Sequence, residues 1–247
     1  MSVELGPPGG SVEGRAVAVR VGQAVLAIVA GVVAASALVP AFEWLATALG
    51  FGAESAVTAA FVTVGNVAGF AVAGVVFLFY AGDLDLLRVR RPTARDAAVA
   101  VVGTVGLIVA GYAILFAFST AGLTPSTNRA LENPPGYFLL MIPLSFLAVA
   151  VGEEVLFRGV VQGELRRALG PAGAIVGASV LFGLLHYLAG TGTPGERLVY
   201  VAVAALLGVG LGAMYEYTGN LVVPVVVHGA YNAVQFAVQY LSATGAI

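Results

Sequence analysis

Seven apolar runs of membrane-spanning length follow one another along this chain, and they constrain its fold more than any other feature. They cover roughly residues 20–40, 55–81, 95–120, 136–168, 172–190, 196–216 and 220–242. About 20 apolar residues in a helix suffice to cross the hydrocarbon core of a bilayer. Only 10% of the 247 residues are charged and 60% are hydrophobic, whereas about a quarter of the residues in soluble chains are charged. The sequence therefore predicts an all-α, polytopic membrane helix bundle.

The number of spans depends on two segments. The run 136–168 is too long to lie wholly in lipid, and we expect its polar part, Gln162 to Arg167, to project into water. Residues 41–54 have the composition of a short interfacial helix around Trp44, whose indole suits the membrane surface. The bundle is therefore predicted to have seven to eight transmembrane helices.

Composition also divides the chain into three parts. Residues 1–14 are polar and rich in Gly and Pro, which predicts a disordered N-terminus. Residues 15–130 hold the N-terminal transmembrane helices, and residues 136–242 hold the polar motifs described below. We expect these parts to form a single integral membrane domain overall.

Arginines are concentrated on one predicted side of the bundle. Successive crossings place three clusters together, namely Arg15 with Arg20, the group Arg88, Arg90, Arg91 and Arg95, and Arg166 with Arg167. The positive-inside rule then predicts a cytoplasmic N-terminus. The composition is rich in Ala, Val and Gly and lacks Lys, which is typical of a GC-rich prokaryotic genome, so we expect a prokaryotic cell membrane.

Charge and cysteine content exclude several classes of function. The net charge is -2 and no domain is basic, so nucleic acid is not an expected partner. The chain has no cysteine, which excludes disulfides, thiolate metal sites and cysteine nucleophiles. Membrane lipid is an expected partner.

Three of the apolar runs carry ionisable or amide side chains. The first has the acid pair Glu153 and Glu154 with Arg158; the second has Phe182 and His186; the third has His228 and Asn232. The chain has only these two histidines. Because charged groups inside a membrane are costly, such residues usually mark a functional site.

Spacing predicts that these clusters lie at similar depth. Gly170-Pro171 is a helix stop followed by a restart, and it lies between Glu153 and His186. In an antiparallel hairpin turning there, both side chains lie about 25 Å from the turn at 1.5 Å per residue. By the same rise, His228 lies about 13 Å past the turn at Gly219. The three clusters can therefore meet, although spacing does not fix the rotation of the helices.

Helical periodicity predicts different roles for the two acids. Residues four apart share a face of a helix, so Glu154 is expected to pair with Arg158. Glu153 is rotated by about 100° from its neighbour and is then free to face the histidines. A carboxylate placed there is a candidate general base.

The ordered set Glu-Glu-x-x-x-Arg, Phe-x-x-x-His and His-x-x-x-Asn resembles the CAAX protease and bacteriocin-processing (CPBP, or ABI) family of intramembrane endopeptidases, which includes the Ras-converting CAAX protease. The resemblance covers about residues 136–242. It implies hydrolysis of peptide bonds within the membrane, in a membrane-associated protein or peptide. The expected partners are therefore membrane lipid and a peptide or membrane-anchored protein as substrate. The implied catalytic set is Glu153, Glu154, Arg158, His186, His228 and Asn232, with Phe182 shaping the pocket.

The resemblance also implies individual roles. The residue matching Glu153 activates a water molecule with help from the one matching His186. The residues matching His228 and Asn232 stabilise the oxyanion of the tetrahedral intermediate. These roles agree with what hydrolysis needs, since water requires a base and the intermediate requires preorganised donors.

Metal dependence is open from the sequence. The family has also been labelled metalloprotease, and Glu153, His186 and His228 are a plausible Zn²⁺ ligand set. However, the His-Glu-x-x-His motif is absent, and Asn is a poor zinc ligand. We favour a metal-free glutamate mechanism, with zinc as the alternative cofactor.

Two other classes of function fit the same residues. One is a proton-coupled small-solute transporter, in which the acids and histidines form a proton relay. The other is a non-catalytic membrane scaffold or immunity protein that keeps the fold. A Glu153→Gln substitution separates the three, because only a protease loses cleavage and only a transporter loses coupling.

Overall fold

The computed structural model describes residues 9–247, with side chains from residue 14 onward. This part of the chain is helical almost throughout. Its α-helices are α1 (Gly9–Ala48), α2 (Ala56–Ala81), α3 (Ala94–Thr120), α4 (Pro135–Leu144), α5 (Ala150–Glu154), α6 (Gly163–His186), α7 (Pro194–Thr218) and α8 (Val222–Ala243). Residues 9–247 contain no strand, which confirms the all-α class. The predicted disorder of residues 1–14 falls partly on residues 1–8, outside the described residues.

Five helices in the described residues are long and apolar enough to cross a membrane. They are Gly14–Ala48, Ala56–Ala81, Ala94–Thr120, Pro135–His186 and Pro194–Thr218. The predicted count of seven to eight spans is therefore not confirmed. The 52-residue segment Pro135–His186 contains the predicted run 136–168 and most of the run 172–190. Helix α8 matches the last predicted run but is not among the five, and it carries His228, Asn232 and two glutamines.

Two segments of wider π-helix interrupt the long helical run between α4 and α6. They cover Ser145–Val149 and Val155–Gln162, on either side of the short helix α5. The second begins directly after the acid pair. Short π-helical turns inside α-helices occur frequently at functional sites. This observation makes the neighbouring Glu153 and Glu154 candidates for such a site.

The run Pro135–His186 folds back on itself at Gly170. This glycine has φ 69° and ψ 179°, a conformation that favours glycine because it lacks a Cβ atom. The rings of Phe157 and Phe182 lie 5.0 Å apart across the turn. A straight helix would separate these residues by about 37 Å at 1.5 Å per residue. The predicted antiparallel hairpin is therefore confirmed.

The first part of the polar segment before this turn is packed against other helices. The prediction that the segment projects into water is therefore wrong for Gln162 and Glu164, whereas Arg166 and Arg167 are exposed. Gln162 and Glu164 are fully buried. The amide of Gln162 donates to the carbonyl oxygen of Gly212 at 3.1 Å, and Glu164 accepts from Arg20 at 2.8 Å. These partners on α7 and α1 form hydrogen bonds with the polar side chains that we had expected to be solvated by water.

A separate interfacial helix around Trp44 is also not formed. Helix α1 continues through Pro40 and Trp44 and ends at Ala48. Proline removes one backbone donor, but the segment after it remains helical. Trp44 is exposed on this last part of α1.

Ion pairs collect at one end of the bundle. Arg20 of α1 pairs with Glu164, and Arg167 pairs with Asp83, which follows α2, at 2.6 Å. Arg166 of α6 pairs with Glu216 of α7 at 2.9 Å. The three predicted arginine clusters therefore share one end, as the orientation argument requires.

The opposite end is closed by two loops. Residues 127–129, at the start of the 3₁₀ turn Arg129–Glu132, lie along the loop that follows α6. Asn128 and Gly190 form an isolated antiparallel bridge, and the hydroxyls of Thr127 and Thr191 lie 2.8 Å apart. The end of α6, where His186 lies, is thereby tied to the segment that precedes α4.

Two glycines allow close helix contacts beside the polar residues. A Cβ atom at Gly152 would lie 2.3 Å from the backbone oxygen of Val67, and one at Gly229 would lie 2.7 Å from the ring of Phe146. Real Cβ contacts are not this short, so neither position accepts a side chain without movement of its neighbours. These contacts set α5 against α2, and α8 against the first π-helical segment.

Candidate active site

Glu154 is the buried centre of the polar cluster. Its side chain is fully inaccessible and contacts two partners. The Nε atom of Arg158 donates to its Oε2 atom at 2.9 Å, and the Nδ1 atom of His228 lies 2.8 Å from its Oε1 atom. The predicted pair of Glu154 and Arg158 is therefore present. His228 is a further partner of Glu154 that helical periodicity did not predict.

Glu153 lies on the other edge of the same imidazole. Its Oε2 atom is 3.7 Å from the Nε2 atom of His228, and 15% of its side chain remains accessible while Glu154 has none. The expectation that Glu153 faces a histidine holds for His228. Being partly open, Glu153 is the acid that can meet another molecule.

The contact with Glu154 requires a hydrogen on the Nδ1 atom of His228, whether the ring is neutral or protonated. An ionised carboxylate only accepts hydrogen bonds, so Nδ1 donates to Glu154. The Nε2 atom is then directed at Glu153. A carboxylate that orients a histidine through Nδ1 is a recurring arrangement at catalytic centres, because it fixes both the tautomer and the orientation of the ring.

Arg158 supplies the charge that balances the acids. Its guanidinium is fully buried and lies 5.3 Å from the centre of the Phe182 ring. Its Nη1 and Nη2 atoms have no hydrogen-bond partner among the described residues. Contact with the face of an aromatic ring stabilises a buried cation, which accounts for part of its placement.

Phe182 joins the two histidines. Its ring centroid lies 4.4 Å from that of His186 and 6.0 Å from that of His228. The ring is 4% exposed and also packs edge-on against Phe157. Phe182 thus packs against both histidines, and its role in shaping a pocket stays a prediction.

His186 is half-buried at the last residue of α6. Its Nδ1 atom lies 2.8 Å from the carbonyl oxygen of Phe182. A carbonyl oxygen can only accept, so Nδ1 carries the hydrogen and Nε2 is left with its lone pair. No hydrogen bond or ion pair joins His186 to Glu153 among the described residues, and the ring of Phe182 links His186 to His228.

Asn232 lies one helical turn after His228 on α8 and is half-buried. Within residues 14–247 its side chain takes part in none of the hydrogen bonds, so its amide is available to a ligand. The structure therefore brings Glu153, Glu154, Arg158, Phe182 and His228 into one cluster. His186 adjoins this cluster, and Asn232 shares a helix face with His228.

The predicted zinc ligands do not assemble in this arrangement. No three His, Asp or Glu side chains in the described residues converge as a metal ion requires. The Nε2 atom of His228 lies 3.7 Å from Glu153, but His186 forms no hydrogen bond or ion pair with either residue in this part of the chain. The residues as placed do not fit a three-ligand zinc site, and metal dependence stays a prediction for experiment.

Two neighbours of His186 were not predicted. The ring of Tyr200, on α7, lies 5.7 Å from the His186 ring, and the Nδ2 atom of Asn128 donates to the Tyr200 hydroxyl oxygen at 2.8 Å. Tyr200 stands in an ordinary apolar stretch and Asn128 in a polar loop. Neither position carries a motif or a spacing that would have identified it.

Comparison with known proteins places these residues in a family context. Residues 135–234 match the family model described as type II CAAX prenyl endopeptidase Rce1-like. The matched segment contains all three motifs, which confirms the resemblance inferred from them. It excludes α1, α2 and α3.

One curated relative is the uncharacterized protein YpbD of Bacillus subtilis (strain 168). It is 39% identical over 95 residues, which are 38% of this chain and 42% of the relative. The chain therefore matches less than half the length of that protein. No solved structure matches the chain.

Proposed function

We propose that this integral membrane protein hydrolyses peptide bonds. The premise is the match of residues 135–234 to the Rce1-like family of type II CAAX prenyl endopeptidases. The substrate would be a membrane-associated protein or peptide. One observation carries the proposal: adjacent acids, Glu153 and Glu154, contact opposite edges of the His228 imidazole inside an apolar helix bundle.

The proposed base is Glu153. It is the more accessible of the two acids, so a water molecule can reach it. Its carboxylate takes a proton from that water as the oxygen attacks the carbonyl carbon of the peptide bond. The proton then passes to the amine that leaves, which completes hydrolysis.

His228 and Asn232 are the proposed oxyanion donors. They lie four residues apart on one face of α8, and neither the Nε2 atom of His228 nor the Asn232 amide donates a hydrogen bond to another described residue. An imidazolium at His228, flanked by two carboxylates, donates from Nε2 to the developing negative oxygen. Preorganised donors in a site that excludes water stabilise such an intermediate strongly.

Glu154 and Arg158 are the proposed positioning pair. Glu154 has no accessible surface, so it cannot meet a substrate, but it holds the Nδ1 edge of His228. Arg158 neutralises Glu154 from the other side. His186, with a lone pair on Nε2, is proposed to assist the water from the far side of Phe182.

The test is cleavage of a quenched fluorescent peptide library by protein purified in detergent. Wild type is compared with Glu153→Gln, which keeps the shape of the side chain and removes the base. Glu43→Gln, at an exposed position near the end of α1, is the matched control. Each protein is assayed with and without a chelator.

We expect wild type and Glu43→Gln to cleave, Glu153→Gln to lose cleavage, and the chelator to have no effect. Equal cleavage by Glu153→Gln and wild type would contradict the role of Glu153. Cleavage abolished by the chelator and restored by zinc would contradict the metal-free mechanism while leaving the protease assignment in place.

A further inference from the structure

His186 lies where the chain leaves α6, and its side chain needs support from outside its own helix. Residues 187–189 form the turn that follows. Within α6, Phe182 contacts the ring through its carbonyl oxygen at 2.8 Å and through its own ring, whose centroid is 4.4 Å away. Any further restraint on the imidazole therefore comes from other parts of the chain.

Tyr200 of α7 provides a contact from a second helix. Its ring meets the His186 ring at a centroid distance of 5.7 Å and an interplanar angle of 66°. Edge-on packing at this distance is a favourable arrangement of two aromatic rings. The imidazole therefore contacts aromatic rings of both α6 and α7.

Asn128 holds Tyr200 in turn. Its Nδ2 atom donates to the Tyr200 hydroxyl oxygen at 2.8 Å, and its Oδ1 atom accepts from the backbone N–H of Ala130 at 2.8 Å. Both polar ends of the Asn128 side chain are thus engaged. The orientation of Tyr200 is set by a loop residue that is itself fixed.

The backbone closes this chain of contacts on His186. Asn128 forms an antiparallel bridge with Gly190, and the N–H of Gly190 donates to the carbonyl oxygen of His186 at 3.1 Å. A Cβ atom at Gly190 would lie 2.6 Å from the Ser126 hydroxyl, so the two loops approach closely because this residue is glycine. The contacts thus form a closed ring that runs from His186 through Gly190, Asn128 and Tyr200 back to His186.

We propose that Tyr200, oriented by Asn128, is a positioning residue for His186. It keeps the imidazole in the rotamer whose Nδ1 hydrogen bonds to Phe182 and whose Nε2 lone pair is free. This proposal rests on the proposed function for its effect on catalysis, since a fixed His186 matters only if His186 assists the water. Its structural part can be tested without any cleavage.

The chain suits a direct test because it has two histidines. Protein labelled with ¹⁵N only at histidine gives signals from two imidazoles, and a His186→Gln variant assigns them. The variants are Tyr200→Leu, which removes the ring, and Tyr200→Phe, which removes only the hydroxyl. Tyr80→Leu, at an exposed position at the end of α2, is the matched control.

We expect wild-type His186 to show a protonated Nδ1 and an unprotonated Nε2. In Tyr200→Leu its signals should move towards a mixture of tautomers while those of His228 stay in place. Tyr80→Leu should leave both unchanged. Identical His186 signals in Tyr200→Leu and Tyr80→Leu would overturn the proposal.

Kinetics test the catalytic consequence. Loss of a residue that orients a metal-binding histidine typically lowers activity by about 10–100-fold. We expect the kcat of Tyr200→Leu to fall in the same range with KM unchanged, because Tyr200 orients His186 in a similar way. Tyr200→Phe should recover most of it, because the ring remains. An unaltered kcat in Tyr200→Leu beside a changed His186 signal would overturn the positioning role.

The two proposals fail in distinguishable ways. A wild-type protein that cleaves no peptide, with cleavage also absent in every variant, speaks against the protease and leaves the histidine signals to decide on Tyr200. A wild-type protein that cleaves, with a Tyr200→Leu variant equal to it in signals and kcat, speaks against Tyr200 alone.

Discussion

The Nδ1 atom of His228 lies 2.8 Å from the Oε1 atom of Glu154, although 74 residues separate them in the chain. This contact joins α5 to α8 through two fully or nearly buried polar side chains. Glu154 thus contacts His228 as well as Arg158, and a histidine oriented through Nδ1 presents Nε2 to Glu153.

Removal of Arg158 should destabilise the fold strongly. Both Arg158 and Glu154 are fully buried, and breaking a buried ion pair by removing one partner costs about 3–5 kcal/mol. We expect Arg158→Met to lower the free energy of unfolding by this amount in detergent. The double variant Glu154→Gln/Arg158→Met should lose less, because no unpaired charge is left behind. A double variant less stable than the single one would contradict this account.

Asn232→Ala should separate activity from stability. The Asn232 side chain is half-buried and makes no hydrogen bond within the described residues, so its loss should change the free energy of unfolding little. Removal of one oxyanion donor typically lowers kcat by about 10²–10³-fold, and we expect a loss of this size. Gln239→Ala, two turns further along α8, is the control and should keep wild-type kcat.

Gly152→Ala should displace α5 from α2. A Cβ atom there would lie 2.3 Å from the backbone oxygen of Val67, and backbone cannot move aside as a side chain can. Overpacking of this kind costs about 1–3 kcal/mol, and it should also lower kcat because the acid pair follows directly. Gly106→Ala, with no atom within 4 Å of its added Cβ, should unfold no more easily than wild type, since alanine is the better helix former.

The pair of Asp83 and Arg167 should make stability depend on acid pH. Two hydrogen bonds from the Arg167 guanidinium, at 2.6 and 2.7 Å, hold the pKa of the Asp83 carboxyl below its usual value of 3.8. A carboxyl with a lowered folded-state pKa stabilises the fold above its unfolded-state pKa. That contribution disappears as the pH falls through the folded-state value.

The measurement is thermal unfolding in detergent between pH 7 and pH 2. The difference in unfolding free energy between wild type and Asp83→Asn should be constant near neutral pH and shrink below about pH 4, the ordinary range for aspartate. Added salt should reduce it, because both side chains are partly accessible. A difference that grows on acidification would contradict the assigned sign.

Orientation in the membrane can be tested with single cysteines, since the chain has none of its own. Arg91 lies at the arginine-rich end and Ala53 in the loop at the opposite end, and both are exposed. The positive-inside rule predicts that an impermeant maleimide labels Ala53→Cys in intact cells. It should label Arg91→Cys only after lysis. The reverse pattern would place the N-terminus outside.

The hairpin and its inner ion pair could be predicted because they depend on spacing alone. Gly170-Pro171 identified the turn, and the four-residue interval identified the contact between Glu154 and Arg158. Rotation could not be predicted in the same way. The π-helical segment that begins at Val155 changes the angular spacing of residues, and the contact of Glu154 with His228 depends on how α8 is rotated.

The burial of polar residues also could not be predicted from the sequence. Gln162 and Glu164 resemble a solvated stretch when taken one by one, but Gly212 on α7 and Arg20 on α1 supply partners for them. These partners lie 50 and 144 residues away. Tyr200 gave no sequence signal because an aromatic residue in an apolar helix is ordinary.

The turn at Gly170 has a consequence for which changes of length this protein can tolerate. Glu154 lies 16 residues before this glycine and His186 lies 16 residues after it. The lengths of these two helical segments, the arms of the hairpin, therefore determine the depth of the two side chains. One inserted residue in either arm would lift its polar group by about 1.5 Å and turn it by about 100°, away from its partners. Insertions and deletions among relatives should therefore be found in the loops before α4 and after α6, and the two arms should keep a fixed length.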